Sequence, residues 1–392
     1  MTQRAAALLA LVLVLSTQVW GVSYCPAPRF DTSKHHFLQS TTPSPRPAMW
    51  DWIDPALLLA ALCAASWMAH KKRDRRWIAG LMLFSLLYFG FWRRGCVCPV
   101  GSIGNIALAA ADSSYVIPFV VVAFFLLPLL FTLLFGRSFC GAVCPLGAVQ
   151  DLFMIKPVRV PPAIEAGLRI FAYLYLAAAV LLAATGMLFI ICQYDPFVTL
   201  FRFNGLWIGW VLLAGFLALS VFIARPYCRF VCPYGVILRN VSRISKWRVK
   251  ITKEECIRCR LCENACPFGA ISKPAKELPA TEYKKNKRRF LLFAGLGPLL
   301  AAGGGMLGAA LFPVIADQTG MDDPVLPMGR TVASAAGIFL GIVVACKLVQ
   351  TVIFRRREEY EINHADCMAC GRCFAYCPIE IKKRKTAADG VH

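Results

Sequence analysis

Cys256-Ile-Arg-Cys-Arg-Leu-Cys-Glu-Asn-Ala-Cys-Pro267 is the first of two runs in this sequence with the spacing C-x-x-C-x-x-C-x-x-x-C-P. The second is Cys367-Met-Ala-Cys-Gly-Arg-Cys-Phe-Ala-Tyr-Cys-Pro378, near the C-terminus. The short gaps let three thiolates from one tight loop reach three corners of an iron–sulfur cube, whose iron favours soft sulfur ligands. A zinc site is the alternative, but zinc ligands usually come as two separated pairs. The runs therefore predict two [4Fe–4S] clusters.

The fourth cysteine of such a run often binds the other cluster when a protein holds two. We therefore predict a shared arrangement of the eight cysteines. Its first cluster is bound by Cys256, Cys259, Cys262 and Cys377, and its second by Cys367, Cys370, Cys373 and Cys266. In the alternative arrangement, each run binds its own cluster with its own four cysteines.

The rest of the chain is apolar: 58% of its 392 residues are hydrophobic and the mean hydropathy is +0.58. Apolar runs lie at 55–70, 77–92, 115–135, 168–191, 206–224, 290–312 and 332–354. A hydrocarbon core about 30 Å thick takes roughly 20 helical residues, so most of these runs are long enough to span it. The sequence thus predicts a mainly α-helical, polytopic membrane bundle of about seven or eight helices.

The net charge of +21 comes from Lys and Arg beside the apolar runs, so it indicates membrane orientation and no nucleic-acid partner. Basic stretches lie at 70–76, 246–253, 284–289 and 355–357, and alternating helices place all of them on one side. Because basic loops stay inside, this side is predicted to be the cytoplasm, with the protein in a bacterial inner membrane. Arg93 and Arg94 go against this pattern.

The order of these segments predicts six parts. They are a signal peptide or first membrane helix (1–22), an exported loop (23–53), a membrane domain (54–247), a first cluster-binding half (248–289), a membrane hairpin (290–354) and a second half (355–392). The hairpin returns the chain to the face it left. We therefore expect the two halves to pair as one small, split, two-cluster ferredoxin-like module on the cytoplasmic side.

A second cysteine pattern occurs three times in the membrane domain, each time as a basic residue, a cysteine and then Cys-Pro-x-Gly. The copies are Arg94-Gly-Cys-Val-Cys-Pro-Val-Gly101, Arg137-Ser-Phe-Cys-Gly-Ala-Val-Cys-Pro-Leu-Gly147 and Arg225-Pro-Tyr-Cys-Arg-Phe-Val-Cys-Pro-Tyr-Gly235. Proline favours the first position of a helix, so the cysteine before it lies at a helix N-terminus, which stabilises a thiolate. These cysteines are candidate ligands of an additional centre: Cys96, Cys98, Cys140, Cys144, Cys228 and Cys232. The alternative is that they are buried and inert.

The predicted topology separates these cysteines into two groups. Cys140, Cys144, Cys228 and Cys232 lie at the cytoplasmic ends of their helices. Cys96, Cys98 and Cys192 lie at the outer ends, so that most of the membrane core stands between the groups.

Together, the Cys-x-x-x-Cys-Pro motifs and the paired runs resemble the NapH/MauN/NosR/CcoG-like polytopic membrane polyferredoxins. The resemblance implies a membrane-bound electron-transfer protein that passes electrons between a quinol or cytoplasmic donor and an exported redox partner. Its partners are then the quinol pool and other redox subunits, and the chain is a candidate quinol dehydrogenase component. The alternative is an assembly or metal-handling factor that reduces copper or a thiol on a partner.

Other redox cofactors find little support in the sequence. The five histidines are His35, His36, His70, His364 and His392, and only His70 lies at the end of a predicted helix. A membrane haem needs facing histidine pairs inside helices, and no C-x-x-C-H motif is present for attached haem. We expect neither haem nor flavin.

Overall fold

The computed structural model describes residues 49–95, 98–112, 115–186, 189–251, 256–275, 280–319, 326–353 and 356–389. The predicted signal segment 1–22, nearly all of the loop 23–53 and Cys96 lie outside the described residues. The described chain is mainly helical, as the sequence predicts.

The first part of the chain forms a compact group of helices. Their bounds are α1 Met49–Trp67, α2 Arg75–Ser85, α3 Pro99–Ala111, α4 Phe119–Phe135, α5 Pro145–Phe153, α6 Pro162–Ala184, α7 Ile190–Tyr194, α8 Pro196–Arg202, α9 Trp207–Phe222, α10 Pro226–Phe230 and α11 Pro233–Val241. Three π-helical segments lie between or after them, at Met68–Lys72, Leu86–Trp92 and Phe139–Val143, and a 3₁₀ turn follows α11 at Ser242–Ile244.

The remaining elements belong to the two cluster-binding halves and the hairpin between them. They are α12 Leu261–Ala265, β1 Ile271–Ser272, α13 Ala280–Thr319, α14 Leu326–Val352, β2 Glu361–Ile362, α15 Arg372–Tyr376 and α16 Pro378–Asp389.

Four helices of the described chain are long and apolar enough to cross a membrane, namely Met49–Lys72, Ile164–Ala184, Glu282–Val314 and Gly329–Val352. Helices α8 and α9 would form a fifth span together, but the chain bends by 106° between them. Helices α3 and α4 are apolar and shorter, with 13 and 17 residues. The chain is therefore a membrane protein, while seven or eight spans stay a prediction.

Helices α13 and α14 pack so closely that their backbones touch. A Cβ atom on Gly304 would lie 2.2 Å from the carbonyl oxygen of Gly337, and one on Gly341 would lie 2.2 Å from that of Leu300. Small residues permit this approach, which is the usual way in which membrane helices associate. The tight hairpin returns the chain to the place where it left the first half.

The two halves meet in a small sheet. Strand β1 pairs antiparallel with β2, with Ile271 opposite Ile362. Ala275 and Arg357 exchange two further backbone hydrogen bonds of 2.9 and 3.1 Å, and α12 packs against α15. The halves thus form one split module, which is the arrangement that the sequence predicts.

This module shares a hydrophobic core with the membrane domain. Phe268 and Met368 from the module and Phe139 and Val143 from the membrane domain belong to one continuous cluster of buried side chains. The module therefore lies directly on one end of the helix bundle.

Candidate metal centres

The first candidate centre is a cavity at the junction of the two halves. It is lined by Cys256, Cys259, Cys262 and Cys377, and Cys373 also reaches its wall. Apolar side chains that include Ile251, Tyr360 and Phe374 complete it. The structure thus brings together the first predicted set of four cysteines, three from one half and one from the other.

The second cavity adjoins the first, since Cys373 lines both. It is lined by Cys266, Cys367, Cys370 and Cys373, which are the second predicted set. Its walls include Phe268, Ile271 and Ile362. Each fourth cysteine therefore reaches across to the opposite half, as the shared arrangement requires.

The two cysteine loops have the same backbone turn. The residues two and four positions after the first cysteine have left-handed conformations in both loops: Arg258 (φ 54°) and Arg260 (φ 62°) in one, Ala369 (φ 50°) and Gly371 (φ 71°) in the other. Left-handed residues turn the chain sharply. The repeated turn explains how one spacing gathers three thiols in both loops.

These thiols suit iron–sulfur clusters in number and surroundings. Burial raises the pKa of Cys266, and it raises the pKa of Cys367 to about 12. A metal that binds such a thiol displaces its proton, so cluster assembly releases protons. Among the described residues, no group of three or more His, Cys, Asp or Glu side chains is arranged to hold a single metal ion. This agrees with a cluster, because each of its four thiolates binds a different iron. The four sulfurs therefore stand further apart than the ligands of a single ion.

The Cys-Pro cysteines of the membrane domain lie at helix N-termini, as predicted. Cys98, Cys144 and Cys232 directly precede α3, α5 and α11, and a proline begins each helix. The Gly235 N–H donates a hydrogen bond of 3.3 Å to the Cys232 sulfur, as expected where a helix leaves its first N–H groups unpaired.

Four membrane cysteines form one group, which we call the cysteine layer: Cys140, Cys144, Cys228 and Cys232. Their thiols interact electrostatically with one another. The Gln150 amide donates to the Cys228 sulfur at 3.2 Å, and the Arg137 guanidinium lies 3.8 Å from the Cys140 sulfur. Such N–H groups can offset the negative charge of a sulfur that binds a metal.

The cysteine layer lies directly under the second cavity. A Cβ atom on Gly141 would lie 2.1 Å from the carbonyl oxygen of Met368, in the loop that carries the second set of cysteines. Arg137 donates to the Ala365 carbonyl at 3.2 Å, and Arg75 donates to the Cys370 carbonyl at 3.1 Å. The two groups of cysteines are thus in contact through one backbone loop.

Ion pairs fasten the module to the membrane domain. Arg169 and Arg239 contact the Asp366 carboxylate at 2.7 and 3.0 Å. Burial alone would raise the pKa of Asp366, but the two guanidinium groups outweigh it and hold the pKa below its usual value. Arg73 also contacts Glu380 at 2.6 Å.

A second ionic group contains residues that the sequence gave no reason to select. The Asp151 carboxylate, on α5, pairs with Arg75, with Arg372 at 3.2 Å and with Arg225 at 3.6 Å. Of these residues, only Arg225 belongs to a pattern that the sequence singles out, as the basic residue of the third cysteine motif. Its partner Asp151 carried no recognisable signal.

The predicted separation of the membrane cysteines is wrong. Cys98 and Cys192 line one cavity together with Cys144 of the cysteine layer. The two groups are therefore neighbours across a cavity, and most of the membrane core does not stand between them. An apolar run need not be a straight span: shortly after Cys192, the chain bends by 106° between α8 and α9.

The comparisons with known proteins agree with this site. A family model described as a 4Fe-4S binding domain matches residues 117–159 and 203–252, which contain the cysteine layer. A second model, also described as a 4Fe-4S binding domain, matches residues 249–272, which contain the first cysteine run. No solved structure matches the chain.

Relatives occur in archaea and bacteria. The uncharacterized protein MJ0750 of Methanocaldococcus jannaschii is 30% identical over 191 residues, which cover 46% of this chain and 77% of that protein. The regulatory protein NosR of Pseudomonas aeruginosa is 28% identical over 240 residues, 55% of this chain and 32% of NosR. The methylamine utilization ferredoxin-type protein MauN of Methylorubrum extorquens is 26% identical over 155 residues, 38% of this chain and 54% of MauN.

The membrane-length helices, the matches to 4Fe-4S binding domains and these relatives together indicate a membrane-associated iron–sulfur electron-transport protein. Within this class, the chain belongs to the NapH/MauN/NosR-like family of membrane polyferredoxins. It spans about a third of the length of NosR and about half of that of MauN.

Proposed function

We propose that this protein passes electrons between a quinol or a soluble cytoplasmic donor and an exported redox partner. The observation that carries the proposal is the stack of cysteine groups. Two cavities in the module each contain one predicted set of four cysteines, and the loop of the second set rests on the cysteine layer. Such a stack is what a route for single electrons from the module into the membrane domain requires. Other redox subunits of the same membrane are the expected partners.

The eight module cysteines are the proposed cluster ligands. One [4Fe–4S] cluster is held by Cys256, Cys259, Cys262 and Cys377. The other is held by Cys266, Cys367, Cys370 and Cys373. When bound, such clusters accept and release single electrons. The residues of this chain supply the thiolates, apolar walls that limit water, and arginines that offset negative charge.

The cysteine layer is the proposed ligand set of an additional iron–sulfur or metal centre. Two of its thiols lie at helix N-termini and two in the short helical segments before them, and Gln150 and Gly235 donate hydrogen bonds to two of the sulfurs. Cys98 lies across the adjoining cavity and is a further candidate ligand, as is Cys96, which lies outside the described residues.

The proposed location is the inner membrane of a bacterium, with the module facing the cytoplasm. Basic side chains support this orientation, because they gather where the membrane helices meet the module. The cleft there is lined by Arg73, Arg169, Arg239, Arg243, Arg248, Lys250, Lys347, Arg357 and Lys383. Positive charge at the ends of membrane helices marks the cytoplasmic side.

An assembly factor that reduces copper or a thiol is the second candidate function. Cys192 is exposed and lines the same cavity as the half-buried Cys98, so a partner could reach this pair of thiols from the side of Cys192. Stoichiometric copper binding that disappears in a Cys98→Ser, Cys192→Ser double variant would favour this function over electron transport.

The central test is anaerobic purification followed by iron and sulfide quantitation and EPR of the reduced protein. Two clusters give about eight iron and eight sulfide per chain, and an additional cluster raises both numbers. Zinc as the only bound metal would contradict the proposal. Cys63→Ser and Cys346→Ser are matched controls, because both cysteines lie exposed on membrane helices and line none of the cysteine cavities.

A further inference from the structure

One cavity of the membrane domain has a composition unlike the cluster cavities. It lies beside the cysteine layer, encloses about 790 Å³ of empty space including its open mouth, and is lined on several sides by aromatic rings. These rings belong to Phe89, Phe139 and Phe201. Four polar side chains also line it: Ser102, Asn105, Asp195 and Arg202. The most buried of them is Asp195, so we call it the Asp195 cavity.

Asp195 is a buried carboxylate, only 1% exposed. One of its oxygens accepts a hydrogen bond of 2.9 Å from the Phe197 N–H, and the other accepts one from the Tyr227 hydroxyl. No Lys, Arg or His side chain of the described chain forms an ion pair with it. A buried carboxylate without a cation is costly, and such groups concentrate at sites that bind or transfer protons.

The position of Asp195 is held by its surroundings. The Tyr227 ring is fully buried and packs edge-on against Phe197 and Phe216, with ring centroids 5.1 and 5.4 Å apart. The tyrosine hydroxyl therefore cannot swing away easily, and Tyr227 acts as a positioning residue for the carboxylate.

The same cavity is also lined by redox-active groups. Cys144, a member of the cysteine layer, lines it together with Cys98 and Cys192. A ligand in the Asp195 cavity thus contacts a cavity wall that includes both a buried acid and a member of the cysteine layer. Inside a membrane domain, a ligand for aromatic walls is an apolar ring that dissolves in lipid.

We propose that the Asp195 cavity binds the ring of a quinol and that Asp195 accepts the protons of its hydroxyl groups. Oxidation of one quinol breaks its two O–H bonds and releases two electrons. The protons pass one at a time to the Asp195 carboxylate and on to water. The clusters that the module cysteines would hold are one-electron acceptors, so two of them would take up the two electrons. This inference rests on the proposed function, in which a quinol is a donor.

Two variants separate binding from proton transfer. Asp195→Asn keeps the size of the side chain and an oxygen for the Phe197 N–H, but it is not a base. Val198→Phe fills the cavity, which Val198 lines. Their matched controls are Asp112→Asn at the exposed end of α3 and Val211→Phe at a position of α9 that is 58% exposed.

Binding is measured with the quinol-site inhibitor 2-heptyl-4-hydroxyquinoline N-oxide, whose fluorescence is quenched when it binds. We expect Val198→Phe to weaken its binding by about tenfold or more and Asp195→Asn to change it by less than about threefold. With decylubiquinol as donor, Asp195→Asn should slow reduction of the clusters by about 100-fold or more, the usual effect of losing a general base. Both controls should behave like the wild type.

Dithionite reduction, followed by EPR, shows whether each variant has assembled its clusters. If Asp195→Asn fails to assemble, Val198→Phe decides the question through binding and rate. Wild-type binding and wild-type reduction by quinol in both variants would overturn the inference and leave the proposed function intact. If dithionite reduces the wild-type clusters but the quinol does not, the quinol donor itself is wrong, and the inference fails with it.

Discussion

The guanidinium of Arg225 donates a hydrogen bond to the backbone carbonyl of Cys140, 85 residues earlier in the chain. Arg225 is completely buried, and it also contacts the Gly141 carbonyl at 3.4 Å and the Met368 sulfur at 3.9 Å. One side chain thus joins the second and third cysteine motifs to the loop of the module. The buried charge is balanced by Asp151.

Replacement of Arg225 by methionine should therefore destabilise the junction between the module and the membrane domain. We expect a loss of about 3 kcal/mol, at the lower end for a buried ion pair, because Arg75 and Arg372 still pair with Asp151. The measurement is thermal unfolding in detergent, with cluster retention followed by absorbance. Arg243→Met is the control, since Arg243 is exposed, and equal stability of the two variants would contradict this role of Arg225.

The shared arrangement of the clusters can be tested by iron content alone. In this arrangement Cys256 and Cys377 bind the same cluster, so a Cys256→Ser, Cys377→Ser double variant should contain about four iron atoms fewer than the wild type. If each run binds its own cluster, the same variant damages both. The converse double variant is Cys256→Ser, Cys266→Ser. It damages both clusters in the shared arrangement and only one cluster in the alternative.

Spacing made these cysteine sets predictable, because a local loop fixes three ligands and the membrane hairpin returns the fourth. The helix starts after Cys98, Cys144 and Cys232 were likewise predictable, since a proline at the first helical position is a local signal. Local rules were sufficient wherever the partners lie within one loop or one turn of helix.

The contacts between distant parts were not predictable in this way. Asp151 meets Arg225 and Arg372 only because the module docks on the bundle, and no pattern along the chain encodes that docking. The positions of Cys98 and Cys192 relative to the cysteine layer were also not predictable from the sequence. Hydropathy gives the length of an apolar run, but it does not reveal a bend such as the one between α8 and α9.

Gly141 offers a test of the docking itself. An alanine there would place its Cβ atom 2.1 Å from the Met368 carbonyl oxygen, so the backbone of one side must move. We expect Gly141→Ala to cost about 1–3 kcal/mol and to make the module more sensitive to limited proteolysis. Gly167→Ala is the control, because no atom lies within 4 Å of its added Cβ. Unchanged proteolysis of Gly141→Ala would show that the contact is not tight.

The cysteine layer should matter for electron transfer and not for assembly of the module. A serine hydroxyl hardly ionises and is a poor ligand for soft metals, so Cys144→Ser and Cys232→Ser should abolish an additional centre there. Both substitutions leave the eight module cysteines untouched, and we therefore expect both module clusters to assemble with wild-type EPR signals.

In the same membranes, transfer of electrons from a quinol analogue to an acceptor on the outer side should stop in both variants. Cys346→Ser, on α14 and outside the layer, should transfer electrons at the wild-type rate. Full transfer in Cys144→Ser and Cys232→Ser would show that these residues only shape the start of their helices. Loss of the module clusters would show instead that the layer supports their assembly. The close contact between the two groups would explain such a role, because the Met368 carbonyl oxygen leaves no room for a Cβ atom on Gly141.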